Sequence, residues 1–139
     1  EKVLFTCQSF EGVNAKRRLK DLGNRDWDAF RMTNWERVDR ERLYEFIKIG
    51  IERGQNKDAY YDNLSAIGIR NANLKPISKD DIGGGYICST AVVSALYYAG
   101  VELDNMRSSS YIDLVSPKQV FKSEGRFFRP AGRFDKSID

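Results

Sequence analysis

An α+β fold is what this sequence predicts, and three observations carry the expectation. Val3-Leu4-Phe5-Thr6-Cys7 is β-branched and aromatic enough for a strand. Val38, Leu43, Phe46, Ile47, Gly50 and Ile51 keep mostly to three- and four-residue spacing, with Glu36, Arg40, Glu41 and Glu45 on the other side, as in a helix that packs on one face. Ala91, Val92, Ala95, Leu96 and Ala99 repeat at helical spacing behind Cys88, and Gly100 follows as a left-handed cap, which predicts a core helix from Cys88 to about Gly100. With 139 residues, 41% of them hydrophobic, residues 1–139 are expected to form a single domain around one ordinary core.

The remaining elements follow from local signals. Glu11-Gly12 supplies a turn after the first strand, and Asn14 caps a short helix expected over Ala15 to Leu22, which Gly23 ends. Trp27 to Met32 alternates in the manner of a strand with one wet face. Thr33-Asn34-Trp35-Glu36 has the Ser/Thr-x-x-Glu form of a capping box and so predicts the start of the long helix, with Gly54 as its stop. From Gln55 to Gly85 the chain turns polar and shows no strong period, so loops with at most short helical turns are expected. Tyr111-Ile112-Asp113-Leu114-Val115 reads as a short strand ended by Ser116-Pro117. Arg126-Phe127-Phe128-Arg129 with Gly132-Arg133-Phe134 suggests a last extended pair.

Charge and composition narrow the function classes. The 23 basic residues are interspersed with 20 acidic ones, and the densest basic cluster, Lys16-Arg17-Arg18 with Lys20, lacks the interleaved aromatics of a single-strand binder. It reads as a solvated face, and no nucleic-acid partner is expected. Cys7 and Cys88 stand in unrelated settings without metal-ligand spacing, and the chain has no histidine, so neither a metal nor another cofactor is expected; a disulfide between the two stays open. No apolar run approaches the roughly 20 residues that span a bilayer, and the N-terminus lacks the regions of a signal peptide. The first strand reads as already under way at Val3, which suggests a fragment or a processed product.

The densest chemistry lies in Gly83-Gly84-Gly85-Tyr86-Ile87-Cys88-Ser89-Thr90. A cysteine in the first turn of a helix faces unsatisfied N–H groups and a partial positive charge, which stabilise its thiolate. Such a nucleophile normally passes its proton to an imidazole, and the chain has none, so the sequence holds half of an active site. The plainer alternative for Cys88 is a small buried hydrophobe at a helix start. The glycines lack the Gly-Lys-Ser/Thr continuation of a phosphate loop and read as a close backbone approach beside the thiol. Ser89 and Thr90 read as N-terminal helix polar groups, and Asp80-Asp81 as solvated carboxylates.

Tyr86-Ile87-Cys88-Ser89, then Ala95-Leu96-Tyr97-Tyr98-Ala99-Gly100-Val101-Glu102-Leu103, then Leu114-Val115-Ser116-Pro117, resembles the C-terminal half of the permuted papain-like cysteine hydrolases, the YiiX-like relatives of the NlpC-type peptidoglycan peptidases. Tyr60-Tyr61-Asp62 is similar to the Tyr-Asp pair that these proteins place before the cysteine, and Phe30-Arg31 to the end of their preceding strand. The resemblance covers most of residues 26 to 121. It implies a helix that starts at the cysteine and packs on an antiparallel sheet, with Cys88 as the catalytic nucleophile. The histidine would come from a strand upstream of Glu1, or from a partner chain. Tyr86, placed near a developing oxyanion, and Tyr61 and Asp62, lining the cleft, are the expected substrate-binding residues, although Tyr86 also reads as a staple and the others as anchors of the long loop. The substrate class implied is an amide bond of a cell-wall peptide or an acyl bond of a lipid, in a phage virion or a cell envelope. A non-catalytic binding or virion assembly module that keeps the fold is the alternative.

Overall fold

The computed structural model describes residues 3–8, 12–18, 27–55, 59–61, 73–86, 88–103, 111–112, 117–121 and 127–134. The chain opens with an antiparallel hairpin, β1 (Val3–Gln8) and β2 (Gly12–Arg18), in which Val3 lies opposite Arg18 and Gln8 opposite Gly12. The helix expected over Ala15 to Leu22 is therefore corrected to a strand as far as Arg18; residues 19–22 lie outside the described ones. Asn14, Ala15, Lys16 and Arg17 suit a helix, but an extended β1 leaves a row of unpaired N–H and C=O groups, and the nearest segment able to satisfy them is the one three residues further on.

β3 (Trp27–Met32) forms as expected and pairs antiparallel with β8 (Phe128–Phe134), Trp27 opposite Phe134 and Met32 opposite Phe128. The last extended pair is thus one strand whose partner comes from early in the chain. The register slips between Ala29 and Phe30, which leaves Ala131 as the extra residue of a bulge, beside Gly132 at φ +99°.

The long helix α1 (Arg40–Gln55) starts later than the capping-box motif suggests. Trp35–Arg37 is a separate 3-10 turn, and Asn34 before it makes no side-chain cap. The residue that caps α1 is Asp39. Its Oδ1 accepts the Arg42 N–H at 3.2 Å, its carbonyl accepts the Leu43 N–H at 3.0 Å, and its own N–H donates to the Ala99 carbonyl at 2.9 Å. The displacement has a packing cause: Val38 is buried, and its extended backbone breaks the run between the turn and the helix. Gly54 lies inside α1 rather than stopping it.

The polar stretch after α1 holds more structure than its composition suggests. β4 (Ala59–Tyr61) pairs in parallel with β6 (Gly84–Tyr86), and β5 (Asn73–Leu74) pairs antiparallel with β7 (Tyr111–Ile112). A 3-10 turn, Lys79–Asp81, lies between β5 and β6. Of the strand expected over Tyr111 to Val115, residues 113–116 lie outside the described ones. Pro117 opens a short helix, α3 (Pro117–Phe121), a place where its missing N–H costs nothing.

The helix predicted from Cys88 is α2 (Cys88–Tyr98). It ends in a Schellman motif: the Gly100 N–H donates to the Tyr97 carbonyl at 3.0 Å and the Val101 N–H to the Leu96 carbonyl at 2.8 Å, with Gly100 at φ +91°. Two stripes run along α2. Val93, Leu96 and Ala99 belong to a cluster with Val38, Ile112, Val120, Phe127 and Phe128, while Ala91, Ala95 and Tyr98 belong to a second with Phe46 and Ile82. The helix is thus the shared wall of two cores, and its small residues let neighbouring elements come close. The antiparallel β3–β8 pair reaches α2 through Phe128 in the first cluster. The strand directly preceding Cys88, in contrast, sits in the parallel pair.

Candidate functional site at the N-terminus of the central helix

Cys88 is the first residue of α2, one residue after the end of β6. The local sequence explains the sharp switch from strand to helix. Gly83, at φ +130°, turns the chain in, and Gly84 and Gly85 lie opposite Ala59 and Tyr60. Glycine suits the former because it tolerates positive φ without a Cβ clash. The parallel register then sets Tyr61 directly opposite Tyr86. Three of the four residues expected at the site are therefore brought to one place by the backbone: two tyrosines at the C-terminal ends of paired parallel strands, and the cysteine at the start of the helix that follows. Ligands in α/β crossovers favour this place, beyond the carboxyl ends of parallel strands and beside a helix N-terminus. Asp62, the fourth, lies outside the described residues, as does Ile87.

The first turn of α2 is firmly held. Ser89 and Thr90 are buried, and both have bonding partners. Burial removes them from contact with a solvent-borne substrate, in keeping with their expected part as polar groups of the helix start. Asp81, in contrast, is not a free solvated carboxylate. One of its oxygens accepts the N–H groups of Ile77 and Ser78, both at 3.0 Å, and the Ser78 hydroxyl at 3.4 Å. The backbone bond from Ser78 and then that from Ile77 hold its carboxyl below the ordinary aspartate range. It is a turn-former, and Asp80 beside it is exposed.

A second polar constellation, one that inspection of the sequence missed, sits at the other end of α2, about 15 Å along its axis. A cavity of about 380 Å³ is lined there by Asp39, Arg42, Ile77, Tyr97, Tyr98 and Glu102 among others. Arg42 spans it: Nε donates to the Tyr98 carbonyl at 2.6 Å, a terminal nitrogen donates to the Ile77 carbonyl at 3.0 Å, and the guanidinium lies 3.9 Å from the Tyr98 ring centroid. The Tyr98 hydroxyl donates to the Glu45 carboxylate; burial first, then Glu45, pushes the phenol above its ordinary value. Lys75, buried along its stem, reaches Glu102 at 3.1 Å across the Tyr97 ring. Arg42 satisfies the carbonyls of Tyr98, at the end of α2, and of Ile77, so it braces the cavity from two sides. The only trace of Arg42 in the sequence was its place near the start of an amphipathic helix.

Among the described residues no group of acidic or cysteine side chains could hold a metal ion, and no helix is long and apolar enough to cross a membrane. No family model, curated protein or solved structure matches this chain.

Proposed function

We propose that the chain is part of a permuted papain-like cysteine hydrolase of the NlpC-related kind, with Cys88 as nucleophile. The observation that carries the proposal is the backbone arrangement at the start of α2: a cysteine on the first residue of the helix that both cores share, reached through a glycine strand whose register lays Tyr86 beside Tyr61. In the reaction, the Cys88 thiolate adds to the carbonyl carbon of an amide in a cell-wall peptide, or of an acyl bond in a lipid. The N–H groups of the helix start stabilise the oxyanion that forms. Collapse of the tetrahedral intermediate expels the amine or alcohol, which takes up a proton, and leaves an acyl-cysteine that water hydrolyses. Tyr61, Tyr86 and Asp62 line the substrate cleft. The imidazole that removes the thiol proton and returns it to the leaving group belongs to a segment or partner chain outside these 139 residues, since the sequence contains no histidine.

The same absence of histidine favours a second reading, in which the fold serves binding or virion assembly without catalysis. Hydrolysis of peptidoglycan stem peptides and acyl esters separates the two. The chain alone is expected to be inactive. Supplied with the complementary segment or chain, it is expected to turn over substrate and to lose that turnover on Cys88→Ala. A folded, complemented protein with no activity would favour the binding or assembly reading, and turnover that survives Cys88→Ala would dismiss the nucleophile. Independently, iodoacetamide is expected to label Cys88 faster than Cys7 near neutral pH, read by peptide mass, because a helix N-terminus favours the thiolate.

A further inference from the structure

Away from α2, the antiparallel pairing of β3 with β8 sets Arg31 directly opposite Arg129. Opposite residues of such a pair share one face of the sheet with Cβ atoms about 5 Å apart, and like charges there repel. Both side chains are exposed, and neither is bonded to a carboxylate among the described residues. A cavity of about 320 Å³ opens between them, completed by Met32 and Trp35. Glu36, the acid next to Trp35, does not line it. Trp35 is 40% exposed and already carries one cation, the Arg40 guanidinium 5.4 Å from a ring centroid. The bulge at Ala131 lies two residues beyond Arg129, where a break in the ladder re-aims the neighbouring strand.

We propose that this cavity binds a small phosphate monoester carried on a planar ring. Two arginines lining one cavity match a group with about two negative charges and three acceptor oxygens better than they match a single carboxylate. Trp35 and Met32, the other two lining residues, give a planar apolar ring an indole face and a thioether to pack on next to that charge. Occupancy by a dianion also removes the Arg31–Arg129 repulsion, so binding and local stability gain together.

The test is calorimetric titration of the whole chain with phenyl phosphate, benzoate, phenol and inorganic phosphate. Phenyl phosphate is expected to bind at least about tenfold more tightly than any of the other three, with an affinity that falls as salt is raised. Arg31→Gln and Arg129→Gln are each expected to weaken it by about tenfold or more. Arg31→Lys, which keeps the charge and loses the fork, is expected to weaken it as well. Trp35→Ala is expected to weaken phenyl phosphate and leave inorganic phosphate unchanged. Benzoate binding as tightly as phenyl phosphate would overturn the dianion assignment. Unchanged phenyl phosphate affinity in folded Arg31→Lys and Arg129→Gln proteins would overturn the site itself.

Discussion

Replacing Ser94 by alanine is expected to make the protein more stable. Ser94 sits in the middle of α2 with no solvent exposure, and its Oγ has no hydrogen-bond partner among the described residues. An unsatisfied buried hydroxyl carries a desolvation penalty of about 1–3 kcal/mol. Alanine also gains up to about 0.5 kcal/mol in helix propensity over serine. Against this stand the dispersion contacts of one oxygen atom, about 0.5–1 kcal/mol. The balance favours Ser94→Ala by about 1–2 kcal/mol, which for a chain of this length is a rise of about 3–6 °C in Tm. Paired urea and thermal denaturation, followed by far-UV circular dichroism, would measure it. Thr90→Ala serves as the contrast: Thr90 is equally buried but has a bonding partner, and its replacement is expected to lower Tm. An unchanged or lowered Tm in Ser94→Ala would refute the reasoning, because it would mean that the hydroxyl is bonded in solution.

Three further outcomes are expected. Arg42→Ala should cost about 2–3 kcal/mol in urea denaturation, since it strips the carbonyls of Tyr98 and Ile77 of a charged donor; Arg42→Lys should recover less than half of that, because an ammonium cannot hold both acceptors in the fork geometry. Gly100→Ala should cost about 1–2 kcal/mol with no packing contribution, since a Cβ there meets nothing within 4 Å and only the φ of +91° opposes it; Gly100→Asn should cost less. Asp81 has a depressed carboxyl, so its stabilisation is fully present above the unfolded-state pKa and is lost as pH falls through the lower folded value. The urea midpoint of the native protein should therefore fall more steeply than that of Asp81→Asn as pH is lowered below about 4.

What the sequence disclosed was governed by the range of the interaction. The start and end of α2 were legible because a helix advertises its buried faces every three or four residues and because Gly100 must adopt a positive φ; β1 and β3 were legible for their β-branched and aromatic residues. The Thr33-to-Glu36 motif misled because a capping box is a local preference, whereas the true cap, Asp39, is fixed by a bond to Ala99 some sixty residues away in the chain. The β2 segment misled for a related reason, since its side chains suit a helix and only the edge of β1 makes it a strand. The two- and three-residue strands β4, β5, β6 and β7 are too short to show a period of two. At the site, the position of Cys88 could be read directly, but the alignment of Tyr61 with Tyr86 depends on a parallel pairing between segments with no shared pattern. Arg31 and Arg129 likewise become neighbours only once β3 and β8 meet.

A helix that walls two cores at once has no way to loosen in part. Withdrawing α2 from Val120 and Phe128 on one side would also withdraw it from Phe46 and Ile82 on the other, so its amide protons beyond the first turn should exchange with solvent only when the entire assembly opens, with a protection equal to the global unfolding free energy. The turn that carries Cys88 is then anchored to the most slowly exchanging part of the molecule. Any adjustment needed to admit a substrate or a partner must then come from outside α2, in the approach that Gly83 turns into β6 at a φ of +130°.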